Sequence, residues 1–139
     1  MADKKYLYAV WRRKRSTAVV KLYPKWSGSF SIKKWTGSVT LQEYFWWHTY
    51  MVEDCFFPFT VLGDKAQSMY DAEITVRWWW LMGQAEAIRL AFARALVEQS
   101  EANRLTLKPH GLLKRDPRVK ERKKPWLKKA RKSPEWSKR

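Results

Sequence analysis

The sequence predicts an α/β body that carries an extended, strongly basic C-terminal segment. Three observations predict it. Several short stretches alternate apolar and polar residues as half-buried strands do. One long stretch, "GQAEAIRLAFARALVEQ", repeats its apolar residues at helical spacing. From Lys114 onward both patterns stop and cations take over. At 139 residues the chain has room for one domain with a real core and not for two.

The elements follow in order. "KYLYAV" puts Tyr6, Tyr8 and Val10 on one face of a strand, and "STAVVKLYP" puts Ala18, Val20 and Leu22 on one face of the next. "SFSIKK" turns Phe30 and Ile32 inward and Ser29, Ser31 and Lys33 outward; with "PKWSGS" before it, it reads as the second arm of a hairpin. "TLQEYF" is a short helix with Thr40 as its cap, and the apolar segment from Thr49 to Leu62 is expected to be helical up to Pro58. "DAEITVR" is a further strand, with Ile74 and Val76 on one side and Glu73, Thr75 and Arg77 on the other. In the long helix Ala85, Ile88, Ala91, Phe92, Ala95 and Leu96 form a stripe that should cover the sheet. A second short helix is expected around "EANRLTL", ending near Pro109 and Gly111. Residues 1–113 are thus the expected globular domain and residues 114–139 an extended tail that cannot bury enough surface to order itself.

Charge narrows the function. The net charge is +16, and it is unevenly placed. Residues 1–34 hold ten Lys/Arg against one acid, residues 35–107 hold five against nine, and residues 108–139 hold fourteen against three. A near-neutral body between two basic segments implies a polyanionic partner, with nucleic acid ahead of a membrane surface. The run "RRKR" at 12–15 lies between two strands, where Lys and Arg can displace counterions from RNA. Fully extended, the 24 residues from Asp116 to Arg139 reach up to roughly 80 Å.

Other classes find little support. The single cysteine, Cys55, precludes an internal disulfide, argues for a reducing compartment, and reads from "DCFFPF" as a small buried hydrophobe. His48 and His110 are isolated, and no paired-carboxylate, Ser-His-Asp or metal-ligand spacing occurs, so neither catalysis nor a cofactor is expected. No signal-type apolar region follows the N-terminal charges, and no run of about 18 apolar residues exists to span a membrane.

"RRKRSTAVVKLYP", "LQEYF", "EITVR" followed by three residues and then "GQAEAIRLAFARAL", and above all "DPRVKERKKPWLKKARKSPEWSKR", resemble, nearly end to end, the bacterial form of the universal small-subunit ribosomal protein nine family. The resemblance implies a two-layer α/β sandwich, a mainly antiparallel sheet with helices on one face, plus the extended basic tail. It implies a structural, non-enzymatic constituent of the small ribosomal subunit, bound to small-subunit rRNA in the head beside neighbouring head proteins. The setting is a cytoplasmic bacterial ribosome, with an organellar ribosome as the alternative. The expected rRNA contacts are Arg12, Arg13, Lys14, Arg15, Arg118, Lys120, Arg122, Lys123, Lys124, Lys128, Lys129, Arg131 and Lys132, which neutralise phosphate and do not read bases. By the same resemblance the tail runs toward the P-site tRNA, and Ser137, Lys138 and Arg139 match the terminal motif that touches it. Two rivals stay open: a free-standing RNA-binding protein of the same body fold, and a Trp/Lys-rich protein of an anionic membrane surface.

The chain departs from the family pattern in one systematic way. Where tryptophan stands at 11, 26, 35, 46, 47, 78, 79, 80 and 126, the family-like pattern reads glycine, and only Trp136 matches an aromatic position. Composition agrees independently: ten tryptophans and five glycines invert the usual proportions. The nine are therefore expected to be glycine in the living protein, through a UGA codon that some bacterial lineages read as glycine and other codes as tryptophan. The competing reading is a real Trp-rich variant whose rings stack on bases or pack on rRNA.

Overall fold

The computed structural model describes residues 6–24, 27–63 and 66–137. Five strands form one sheet: β1 (Leu7–Arg13), β2 (Ser16–Tyr23), β3 (Phe30–Lys34), β4 (Gly37–Thr40) and β5 (Asp71–Arg77), in the order β1-β2-β5-β3-β4. All neighbours are antiparallel except β3 and β5, which run parallel with Ile32 opposite Ile74. The helices are α1 (Leu41–Phe45), α2 (Thr49–Leu62), α3 (Leu81–Gln99) and α4 (Ala102–Leu107), with a 3-10 turn at Gln67–Met69.

The strands are where alternation puts them, and β2 is the cleanest case. Ser16, Ala18, Val20 and Leu22 are buried while the residues between them are only half-buried. In β1 the inward parity is Leu7, Ala9, Trp11 and Arg13, so Tyr6, Tyr8 and Val10 belong to the other, solvated face. There Lys21 and Glu73, opposite each other in β2 and β5, pair at 3.4 Å. One face packed and one wet is the usual arrangement for antiparallel strands.

The hairpin expected of β2 and β3 does not form, because β5 lies between them: Leu22 and Phe30 both face Ala72 from opposite sides. A strand far along the chain supplies the pairing that local pattern assigned to a neighbour. The actual hairpin partner of β3 is the short β4, joined through Trp35 and Thr36.

α1 begins as its sequence dictates. Thr40 accepts from the Glu43 N–H at 3.2 Å, and the Glu43 carboxylate takes the Thr40 N–H at 3.0 Å, a reciprocal capping box. These bonds hold the Glu43 carboxyl below its usual range. α2 differs from expectation by continuing through Pro58 to Leu62. Proline inside a helix forfeits one N–H bond and crowds the preceding turn. Here Pro58 is itself buried, next to Phe59 and one turn past Cys55, so the packed face of α2 offsets that cost.

α3 is the keystone. It lies on β1 and β2 with α2 packed beside it. Ala85, Ala87, Ala91, Ala93 and Ala95 are all fully or nearly fully buried, and their small size lets both neighbours approach closely. Larger residues fill what remains. Phe92 meets Phe30 and Phe59 edge-on, with ring centroids 5.7 and 5.1 Å apart. Cys55 sits in this layer with its thiol 3.7 Å from the Ala85 carbonyl, and burial pushes its pKa up, as befits a packed hydrophobe.

Candidate nucleic-acid interface

The four cations at 12–15 share a charge and not an environment. Strand parity sends Arg13 inward and Arg12 outward, while Lys14 and Arg15 form the exposed two-residue turn into β2. Only 6% of Arg13 is exposed. Its Nε donates to the Glu86 carboxylate on α3, its Nη1 to the Arg118 carbonyl at 2.7 Å, and its Nη2 to Asp116 at 2.9 Å. A buried guanidinium needs such acceptors, and these use its donor edges inside the protein.

Those same bonds root the tail. Asp116 also accepts from the Arg118 backbone N–H at 2.9 Å and from its Nε at 3.1 Å; these bonds, with the Arg118 and Arg13 charges, bring its carboxyl down to about 2. Arg115 adds a bond from its Nε to the Arg12 carbonyl at 3.3 Å. Residues 115–118 are thereby stitched to the end of β1. The signal for this was present in the sequence: continuing the parity of Ala9 and Trp11 lands Arg13 on the packed face, and an inward arginine needs a carboxylate partner.

Rooted there, the next stretch of tail runs beside the β1–β2 turn. Lys14 and Arg15 from the turn and Lys120, Arg122 and Lys123 from the tail line one cleft of about 530 Å³ at the start of α3. None of these five has a carboxylate partner among the described residues, and all are exposed. Glu121 also lines the cleft, but its carboxylate is held by Lys124 at 2.6 Å and Arg131 at 2.8 Å, which keep its pKa low. Converging like charges in a concave site raise the local concentration of anions.

The base of the cleft depends on one glycine. A Cβ on Gly83 would stand 2.7 Å from Ser16 Oγ, so a larger residue would force the serine hydroxyl aside where the first turn of α3 lies close to β2. The β5–α3 turn, residues 78–80, forms a wall. It is fastened by Gln84, only 2% exposed, whose side-chain amide donates to the Trp78 carbonyl and accepts from the Tyr44 hydroxyl at 2.8 Å.

The remaining expected contacts divide. Arg118, Lys124 and Arg131 are paired with the tail's own Asp116 and Glu121. Lys128, Lys129 and Lys132 are exposed in a turn closed by a 2.8 Å bond from the Lys128 N–H to the Lys132 carbonyl. Ser137 is exposed, while Lys138 and Arg139 lie outside the described residues. No group of three or more His, Cys, Asp or Glu gathers among the described residues, and no helix there is long and apolar enough to cross a membrane.

Known proteins match this chain over nearly its whole length. A model of the family described as ribosomal protein S9/S16 matches residues 11–139. The chain is 48% identical over 128 residues to the small ribosomal subunit protein uS9c of Pyropia yezoensis, covering 92% of this chain and 88% of that protein. It is 42% identical over 131 residues to uS9c of Emiliania huxleyi, covering 94% and 95%, and 44% identical over 128 residues to uS9 of Mycoplasma mobile, covering 92% of each. On these matches the chain belongs to the ribosomal protein S9/S16 family, whose members are structural and not enzymes.

Proposed function

We propose that this protein is a structural constituent of the small ribosomal subunit that grips small-subunit rRNA in the head between its β1–β2 turn and its tail. The observation that carries the reading is the convergence of Lys14 and Arg15 with Lys120, Arg122 and Lys123 on one cleft, with Arg13 spent on rooting the tail beside it. Lysine ammonium groups and arginine forks suit phosphate oxygens, so the contact positions the protein on folded RNA and does not select a sequence. Lys128, Lys129 and Lys132 extend the contact further along the tail. The ribosome is a bacterial-type one, in a bacterium or an organelle, and neighbouring head proteins complete the surroundings.

The tail's end, Ser137 to Arg139, is assigned to the P-site tRNA. What supports this is the terminal motif and the tail's reach beyond its root at 115–118. Reconstitution of small subunits tests both parts. The full chain should join particles lacking this protein, and deleting Lys138 and Arg139 should weaken tRNA retention in the P site while assembly proceeds. Failure to bind the particles even in dilute salt overturns the rRNA reading, and normal tRNA retention by the truncated form overturns the tail assignment.

A further inference from the structure

The backbone has slots that tryptophan does not fit. Seven described residues have φ in the left-handed region. Four are the glycines Gly28, Gly37, Gly63 and Gly111, one is Lys14 in the two-residue β1–β2 turn, and the other two are Trp78 at +81° and Trp126 at +66°. A side chain in that region brings its Cβ against the following carbonyl, which is why glycine is the default there. The four glycines show that this chain follows the rule, and its two tryptophan exceptions fall in turns.

Exposure points the same way. Trp35, Trp46, Trp47, Trp79, Trp80 and Trp126 are each more than three-fifths exposed, and Trp35 and Trp126 almost entirely so. Tryptophan is ordinarily a well-buried residue, and this many rings in water make an aggregation surface. Four of them pack in pairs on each other: Trp46 lies on Trp47 at 5.2 Å and Trp79 on Trp80 at 4.9 Å. Trp11, the half-buried member in β1, has its indole Nε1 buried with no hydrogen-bond partner. Trp78 and Trp80 line the cleft between the two sets of cations, where a phosphate would need the room.

We infer that the protein as its own cell makes it carries glycine at 78 and 126, and with them at 11, 35, 46, 47, 79 and 80. One codon meaning, UGA read as glycine and not as tryptophan, would account for all of them together. Trp26 shares the expectation but lies outside the described residues. Glycine relieves the two left-handed turns, removes the exposed rings and the orphaned indole N–H, and leaves bare backbone at 78–80 facing the cleft. The last consequence, a cleft open to an RNA phosphodiester, rests on the function proposed above. The identity of the residues does not.

Peptide mass spectrometry on protein from the source cell decides the identity without reference to any ribosome. Trypsin should release residues 78–89 as one peptide. The expected mass is that of three glycines at 78–80, lighter by three tryptophan-to-glycine differences, and the peptide spanning 126 should be lighter by one. Tryptophan at 78 or 126 overturns the inference. For the open cleft, the Trp78→Gly/Trp79→Gly/Trp80→Gly protein should bind small-subunit rRNA at least as tightly as the tryptophan form. Tighter binding by the tryptophan form would make the rings stacking platforms and overturn the cleft's part. Binding by neither form would defeat the rRNA proposal and the cleft with it, while the measured masses stand on their own.

Discussion

The body and the tail of this protein keep their charges for opposite purposes. In the body, charge that folds inward is cancelled on the spot: Arg13 by Glu86 and Asp116, and Arg89 by Asp54 at 2.5 Å across α3 and α2. In the tail, three acidic side chains face thirteen Lys/Arg, and most of those among the described residues are exposed. The body is held by apolar burial around α3, whereas the tail is held to it through a few polar contacts at residues 115–118. The inward Arg13 therefore supports the fold, whereas Arg15 and Arg122 are exposed with no carboxylate partner among the described residues.

The sharpest contrast should come from the core. Phe92→Ala removes the ring that Phe30 and Phe59 meet edge-on and should cost about 3–5 kcal/mol by chemical denaturation. A cost under about 1 kcal/mol would mean that α3 is not the keystone. Arg13→Met should come next. It leaves Glu86 without its cation and Asp116 with Arg118 alone, and should lower stability by about 2 kcal/mol, below the usual figure for a fully buried pair because both carboxylates are partly exposed. It should also raise backbone amide exchange at 115–120, whereas Lys14→Ala should leave exchange there unchanged. If both substitutions behave alike, the distinction between the neighbours fails.

Acid should loosen the root specifically. Asp116 titrates near 2 in the folded protein, against about 3.9 for an unperturbed aspartate. A depressed carboxylate contributes above its unfolded value and loses that contribution as pH falls through the folded one. The Arg118 amide signal should therefore hold steady from pH 8 to about 3 and change as the pH falls through about 2. A change centred near neutral pH would point to another group. The smallest effect on the fold is expected from Lys14→Ala with Arg15→Ala, which should shift stability by less than about 0.5 kcal/mol because both side chains are exposed.

How far the sequence could be read follows the range of the interactions involved. Inward faces set by alternation, Ala18, Val20 and Leu22 or Phe30 and Ile32, are as expected, and so is the stripe of α3. The capping at Thr40 is local and was legible, since the threonine and Glu43 lie one turn apart. The position of β5 between β2 and β3 was not, because strand order is settled by contacts some fifty residues apart that leave no local trace. Pro58 misled in the same way: its penalty is local, while the burial that outweighs it is tertiary. Within the candidate site, composition marked two basic segments, but no composition says that residues 14–15 and 120–123 share a cleft or that Arg13 turns inward.

That shared cleft is most directly tested by the salt dependence of binding to small-subunit rRNA. Each lost phosphate contact should flatten the slope of log affinity against log salt by roughly 0.7–0.9. Lys14→Ala with Arg15→Ala, and separately Lys120→Ala with Lys123→Ala, should each reduce the slope by about two contacts' worth, and by similar amounts. An unchanged slope for either pair would contradict a cleft in which turn and tail hold the same RNA.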